Sequence, residues 1–201
     1  MGTLFVDKLD PQSGTSLEIG SSGDTITIPS GATITNSGTA TGFGESNAPY
    51  FFAYSNANQS ISDGSATKVA LNAEVLDSDS GFDTSNYKYT IPSGKGGIYK
   101  LDCSVKANKG SGSNAIYYYI LMIRKNGSTQ TNAIMDMRNP GNSVSDISQQ
   151  LNQYTSITLN SSAGDYFELY AEIFTNGNTP VISGAGTFDT WFSGFRVATT
   201  W

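Results

Sequence analysis

Histidine is absent from this 201-residue chain, cysteine occurs once, and only 14% of the residues are charged. Each shortage removes a class of function. Without histidine a Ser-His-Asp triad cannot form, and a single cysteine leaves too few ligands for the usual zinc sets. Cys103 has no partner for an intrachain disulfide. It reads as a small core hydrophobe, because a nucleophilic thiolate needs a base or a cation beside it. The 11 Lys and Arg are scattered, and against 17 Asp and Glu they leave a net charge of −6. Such a balance has no electrostatic footprint for nucleic acid or for an anionic membrane surface. The longest apolar run, IYYYILMI at 116–123, ends after eight residues. A membrane span needs about 20, so no membrane insertion is expected and the chain reads as soluble. The opening MGTLFVDKLD has no basic stretch leading into an apolar one, so no secretory signal is expected.

Glycine is plentiful, at 22 residues, and Ser, Thr and Asn surround it. An aromatic content of 11% nevertheless argues for a folded chain, since disordered segments lack apolar bulk. A fold of this length buries roughly 70% of the surface its unfolded chain exposes, so neither disulfides nor metals are required. The small residues cluster between aromatic runs, which is the punctuation of an all-β chain.

Two regions differ in character. Residues 1–44 contain only two aromatics, Phe5 and Phe43, whereas aromatics are frequent from Tyr50 onward. The change falls at TGFGESNAP (41–49), so an N-terminal region at 1–44 and a second domain at 45–201 are expected. In the first, LEIGSSGD (17–24), TITIPSGA (25–32) and TITNSGTA (33–40) line up at a spacing of eight. Ile26 and Ile28 alternate with Thr25 and Thr27. So thin a repeat cannot bury an apolar face alone, and three chains wound about one axis would supply the burial. The competing reading is a Gly/Ser linker, which rarely carries alternating Ile.

The second region offers a series of strands. YFFAYS (50–55), ATKVALN (66–72) and NYKYTIP (86–92) come first. IYKLDCSVK (98–106) sets Tyr99, Leu101, Cys103 and Val105 against Lys100, Asp102, Ser104 and Lys106, the half-buried antiparallel pattern. IYYYILMIRKNG (116–127) is apolar on both faces, as a central or interface strand is, and ends in a hairpin-forming Asn-Gly. QYTSITLN (153–160), DYFELYAEIF (165–174) with Phe167, Leu169, Ala171 and Ile173 inward, and TWFSGFRVA (190–198) complete the series. In SDISQQLNQY (145–154), Ile147, Leu151 and Tyr154 keep a helical spacing, so this stretch is a short helix or the approach to a strand. The pattern predicts an all-β sandwich of jelly-roll or immunoglobulin type.

FFAYSNANQSI (51–61), Phe82-Asp83, Tyr89-Thr90-Ile91-Pro92, Gly164-Asp165 and Phe192-Ser193-Gly194-Phe195 follow one another in an order that resembles the tumour-necrosis-factor-like jelly roll, in its complement globular-head branch. FFAYSNANQSI (51–61) resembles that family's first strand. In 68–105, Asn72, Phe82-Asp83, Tyr89-Thr90-Ile91-Pro92 and Gly97-Ile98-Tyr99 resemble its most recognisable block. Gly164-Asp165 resembles the entry of its penultimate strand and Phe192-Ser193-Gly194-Phe195 the Phe-Ser-Gly-Phe of its final strand, while 107–150 has no clear counterpart. The resemblance implies a homotrimer in which Phe52, Tyr117, Tyr119, Leu121, Trp191 and Phe195 meet between subunits; an intrachain core suits the same residues. The opening TL-V-D-K-L with PSGATI phrases resembles the N-terminal shafts of fibre and appendage proteins of tailed bacteriophages.

The strongest carboxylate cluster is DSDSGFD, with Asp77, Asp79 and Asp83. Alternating Asp with Gly suits a calcium loop, although the spacing departs from the EF-hand template. No phosphate-binding loop occurs, and Gly94-Lys95 reads as a turn. Tyr54, Tyr87 and Phe174 are aromatics that could stack on sugars. Together these readings point to a non-enzymatic virion protein without cofactors, assembled in a host cytoplasm. It would be a short trimeric tail fibre or spike, joined to other virion proteins through residues 1–44. Its head would attach to a host-surface glycan or protein. The alternatives are a capsid-surface head fibre or cement protein, a secreted bacterial adhesin, and a polysaccharide depolymerase using paired carboxylates.

Overall fold

The structure, a computed structural model, describes residues 9–37, 49–136, 149–184 and 188–199. The chain divides into two units, Met1–Phe43 and Gly44–Trp201. Residues 9–37 of the first contain turns but no strand or helix, so none of these described residues joins a β-ladder.

The second unit is all-β among the described residues. Its strands begin with β1 (Tyr50–Tyr54), β2 (Gln59–Ser60), β3 (Thr67–Lys68), β4 (Ala73–Asp77), β5 (Phe82–Asp83) and β6 (Lys88–Thr90). There follow β7 (Gly97–Ser111), β8 (Tyr118–Lys125), β9 (Ser128–Asp136), β10 (Gln150–Ser161), β11 (Tyr166–Phe174), β12 (Thr179–Ser183) and β13 (Trp191–Ala198). They form two antiparallel sheets, a jelly-roll sandwich. The second sheet runs β5-β6-β11-β8-β9, with β3 also on β11.

The first sheet is organised by β7. Along one edge it pairs β10 from Gly97 to Asn108; along the other it pairs β13 and then β12. Beyond β13 lie β1 and β4, and β2 pairs β12. A strand of 15 residues can serve three neighbours because its pleat repeats every two residues without interruption.

Alternation decides which side chains meet between the sheets. Tyr99, Leu101, Cys103 and Val105 of β7 are fully buried against Phe167, Leu169, Ala171 and Ile173 of β11 and Tyr119, Leu121 and Ile123 of β8. Fully burying a side chain of this kind contributes about 1.5–3 kcal/mol over leaving it in water. Phe51 of β1 joins the layers at one end, stacked on Tyr89 at 4.2 Å and edge-on to Phe192 at 5.1 Å. The one polar atom on Tyr119 is satisfied across the sandwich, its hydroxyl donating to the Val105 carbonyl at 3.0 Å. Burial pushes the Cys103 thiol well above its ordinary pKa, which suits a core residue and not a nucleophile.

Some expectations change. Residues 150–154 belong to β10 and not to a helix, because pairing with β7 satisfies their backbone; 145–148 lie outside the described residues. The strand expected at 66–72 shrinks to Thr67–Lys68, and the next strand starts at Ala73. The Asn126-Gly127 turn does join β8 to β9. Both residues take positive φ, 51° and 78°, as a two-residue hairpin of the primed type requires.

Candidate functional site

The inward residues of β1, β7, β10 and β13 fill the core, so their alternates face out, and strand register stacks these into rows. One row reads Tyr154, Ser104, Trp191, Tyr54. The next reads Ser156, Asp102, Ser193, Phe52, Leu76, and the third Thr158, Lys100, Phe195, Tyr50. The β1 and β13 side of this face is aromatic. Phe52 stacks on Trp191 at 5.6 Å, and Tyr154 lies 6.3 Å from the same indole. Phe188 stands edge-on to Phe52 at 5.5 Å and to Tyr54 at 4.8 Å. Its φ of 54° is one that bulky residues rarely adopt, costing about 1–3 kcal/mol, and its contacts to those two rings offset the cost.

Much of this apolar surface remains open. Tyr50, Leu76, Phe195 and Val197 expose 42–54% of their surface. Tyr50, Phe52, Leu76 and Phe195 line a shallow groove of about 360 Å³.

The β7 and β10 side is polar but internally paired. Lys100 Nζ donates to Ser156 Oγ at 2.9 Å and lies 3.5 Å from the Asp102 carboxylate. The Tyr154 hydroxyl donates to Asp102, and the carboxylate holding that proton raises the phenol's pKa. Lys106 pairs with Asp189 at 3.0 Å, and Ser104 Oγ donates to Asn152 Oδ1 at 2.8 Å. The face therefore joins an open aromatic half to a half whose charges already have partners. It can bury and stack.

Of the six residues expected between subunits, the structure places Phe52, Trp191 and Phe195 together on this face. Tyr119 and Leu121 are fully buried in the intrachain core and have no surface left for another subunit, as their inward parity on β8 dictates. Tyr117 packs against Phe174 at 6.0 Å beside the second sheet, away from the three.

The expected calcium carboxylates do not converge. Asp77 accepts from the Gly81 and Phe82 amides at 3.1 and 2.8 Å, and Asp83 from the Ser85 and Asn86 amides, both at 2.9 Å. Asp79 instead accepts from Ser78 Oγ at 2.5 Å. These are turn and strand-start bonds, and they hold the Asp83 carboxyl below its ordinary pKa, the Asn86 side chain contributing most. Among the described residues no three His, Cys, Asp or Glu group as a metal site would need.

Of the aromatics considered for sugars, Tyr54 belongs to the first-sheet face and Phe174 stacks on Tyr118 at 5.1 Å. Tyr87 sits in a turn at φ 53°.

Sequence reasoning missed Tyr50, Leu76, Tyr154 and Phe188 as members of the face. For Tyr154 the signal was strand parity with Ser156 and Thr158, obscured by its helical spacing from Ile147 and Leu151. For Leu76 there was none, since its place depends on the pairing of β4 with β1.

No family profile and no curated protein matches this chain. Solved structures do match. The globular domain of the zebrafish complement 1qA protein superposes with a TM-score of 0.51 at 15% identity, covering 76% of this chain and 100% of that one. Eiger TNF from S. frugiperda gives 0.52 at 10% identity, covering 76% and 94%. At these identities the likeness is one of fold, the complement-head and tumour-necrosis-factor type of jelly roll.

Proposed function

We propose that this chain is a non-enzymatic structural protein of a virion, a short homotrimeric fibre or spike. Residues 1–44 attach it to other virion proteins, and the jelly roll at 45–201 forms a head that contacts the host surface. The observation that carries the reading is the outer face of the first sheet. Single-chain soluble proteins rarely leave large contiguous apolar patches exposed, and those that do use them for association. Here Phe52, Trp191, Phe195, Tyr50 and Leu76 make such a patch on a regular sheet, with paired charges beside it. Two further copies of the chain cover it best, because the fold is the one whose family is typically homotrimeric.

Trimerisation suits attachment. Three weak contacts on one head act together through effective concentration, so no single strong receptor pocket is needed. The shortage of catalytic groups fits the same role.

Sedimentation of the full chain tests the assembly. The expected mass is three times the 21.3 kDa of one chain. Phe195→Asp is expected to dissociate it, since 45% of that side chain is free to take a charge without disturbing the subunit core. A monomeric wild type overturns the fibre reading, and an intact trimer in Phe195→Asp moves the interface elsewhere. Labelled trimer is expected to bind bacterial cells; absence of binding across the relevant hosts removes the attachment role.

A further inference from the structure

The chain contains two Asn-Gly pairs, Asn126-Gly127 and Asn176-Gly177. Such a pair can cyclise on itself. The glycine amide nitrogen attacks the asparagine Cγ, ammonia leaves, and a five-membered succinimide remains. Water then opens the ring to aspartate or, with the main chain rerouted through Cβ, to isoaspartate. Glycine favours the reaction because no Cβ shields its nitrogen and its backbone turns freely.

The two pairs have much in common. Both residues of each take positive φ, 51° and 78° in the first and 58° and 115° in the second. Both asparagines are exposed. A Cβ built on either glycine would meet a single atom, at 3.9 Å in each case, so room does not separate them.

The carboxamide does. Asn126 is held at both ends: its Nδ2 donates to Asp165 Oδ1 at 2.8 Å, and its Oδ1 accepts from the Tyr166 amide at 2.9 Å. To reach Gly127 it must give up both bonds. The Asn176 carboxamide makes no hydrogen bond among the described residues. Its turn is held through the main chain instead. The Gly177 amide donates to Asp63 Oδ2 at 2.7 Å, and the Asn176 carbonyl accepts from Asn114 Nδ2 at 2.6 Å. The bond to Asp63 therefore occupies the one nitrogen that would attack.

We infer that Asn176 is a site of spontaneous deamidation gated by the Asp63 clamp, and that Asn126 is shielded from it. When Gly177 leaves Asp63, its nitrogen is free and the unanchored Asn176 carboxamide can swing onto it. The amide proton passes to solvent, the leaving nitrogen takes one up and departs as ammonia, and one water is consumed on opening the ring. Isoaspartate at 176 lengthens the main chain by one carbon and adds a negative charge in the turn that Asp63 holds. The Gly177 amide and the residue 176 carbonyl then cannot both return to their partners, and the clamp stays open.

The test incubates the folded full chain in mildly alkaline buffer and follows amide-to-acid conversion at each pair by peptide mass. Chain unfolded in urea is the reference, and there both pairs should convert alike. In the folded protein Asn176 is expected to convert at least about fivefold faster than Asn126, where two further bonds, one to a carboxylate, must break. Asp63→Ala is expected to speed Asn176 at least about fivefold and to leave Asn126 unchanged. Asn114→Ala removes the bond to the Asn176 carbonyl and should act in the same direction, which keeps the gate testable if Asp63→Ala fails to fold. Equal rates at the two pairs, a faster Asn126, or a folded chain whose Asn176 persists while the urea reference converts overturns the site. An Asn176 rate that neither variant raises overturns the gate.

Discussion

Replacing Gly194 by alanine is the sharpest test of the packing described above. Gly194 lies on β13 in the Phe192-Ser193-Gly194-Phe195 block and faces the core, opposite Phe51 of β1 and Leu101 of β7. A Cβ built there meets Leu101 Cδ2 at 2.6 Å and Phe51 Cε1 at 2.7 Å, with the Lys100 carbonyl oxygen at 3.2 Å. Ordinary contact begins near 3.4 Å, so both side chains must retreat by roughly 0.7–0.8 Å. Neither has an easy route. The Phe51 ring is held between Tyr89 at 4.2 Å and Phe192 at 5.1 Å, and Leu101 is fully buried.

Two effects compete. Gly-to-Ala at an unstrained site stabilises by about 0.4–1 kcal/mol through the unfolded chain. Overpacking a filled core costs about 1–3 kcal/mol. Overpacking wins by up to about 2.6 kcal/mol, and Gly194→Ala is expected to lower the melting temperature by up to about 10 °C, taking about 2–4 °C per kcal/mol at this size. Urea unfolding at matched protomer concentration measures it without confusion from assembly. Adding Leu101→Val should give a favourable coupling of about 0.5 kcal/mol or more, since it removes one obstructing group. A Gly194→Ala variant as stable as wild type would refute the claim that Phe51 and Leu101 are fixed where described.

Two further outcomes follow from polar groups. Asp63 accepts from the Thr175 amide at 2.6 Å, from Thr175 Oγ1 at 2.9 Å and from the Gly177 amide at 2.7 Å. Thr175 is fully buried, so Asp63→Ala strands its amide at a cost of about 1–3 kcal/mol, seen as lost hydrogen-exchange protection at Thr175 and Gly177. Asp165 receives bonds from Lys125 and Asn126, and these hold its carboxyl at about 2. Its folded pKa lies below the unfolded value near 3.8, so its contribution is complete above pH 4 and is lost as pH falls toward 2. With solvent screening that contribution is about 1 kcal/mol, and the stability difference between wild type and Asp165→Asn should shrink as pH falls through 2 and vanish near pH 1.

Much of the second unit was legible in order and parity. The alternation at 98–106 announced which residues of β7 turn inward, and Phe167, Leu169, Ala171 and Ile173 did the same for β11. A period of two is a local property of an extended backbone, so a single segment carries it. The Asn126-Gly127 turn was equally local, because its positive φ values belong to those two residue types. Short strands such as β2, β5 and β12 were not legible. β2 and β5 are pairs of residues with no period, β12 is five residues interrupted by Pro180, and only hydrogen bonds to β12, β6 and β7 make them strands.

The candidate face divides along the same line. Sequence alone determined that the second unit is all-β, that the chain lacks histidine, and that aromatics occupy alternate positions of its first and last strands. It also showed the eight-residue repeat at the N-terminus. It did not determine which aromatics are core and which are surface. Tyr119 and Trp191 both sit in aromatic runs. Sandwich parity sends Tyr119 inward to the Val105 carbonyl, while β13, paired between β1 and β7, turns Trp191 outward onto Phe52. Tyr54, Trp191, Ser104 and Tyr154 come from four distant segments, and they form one row only because β7 fixes the register of β10 on one edge and of β13 on the other. Register is a relation between strands, and no single stretch of sequence contains it.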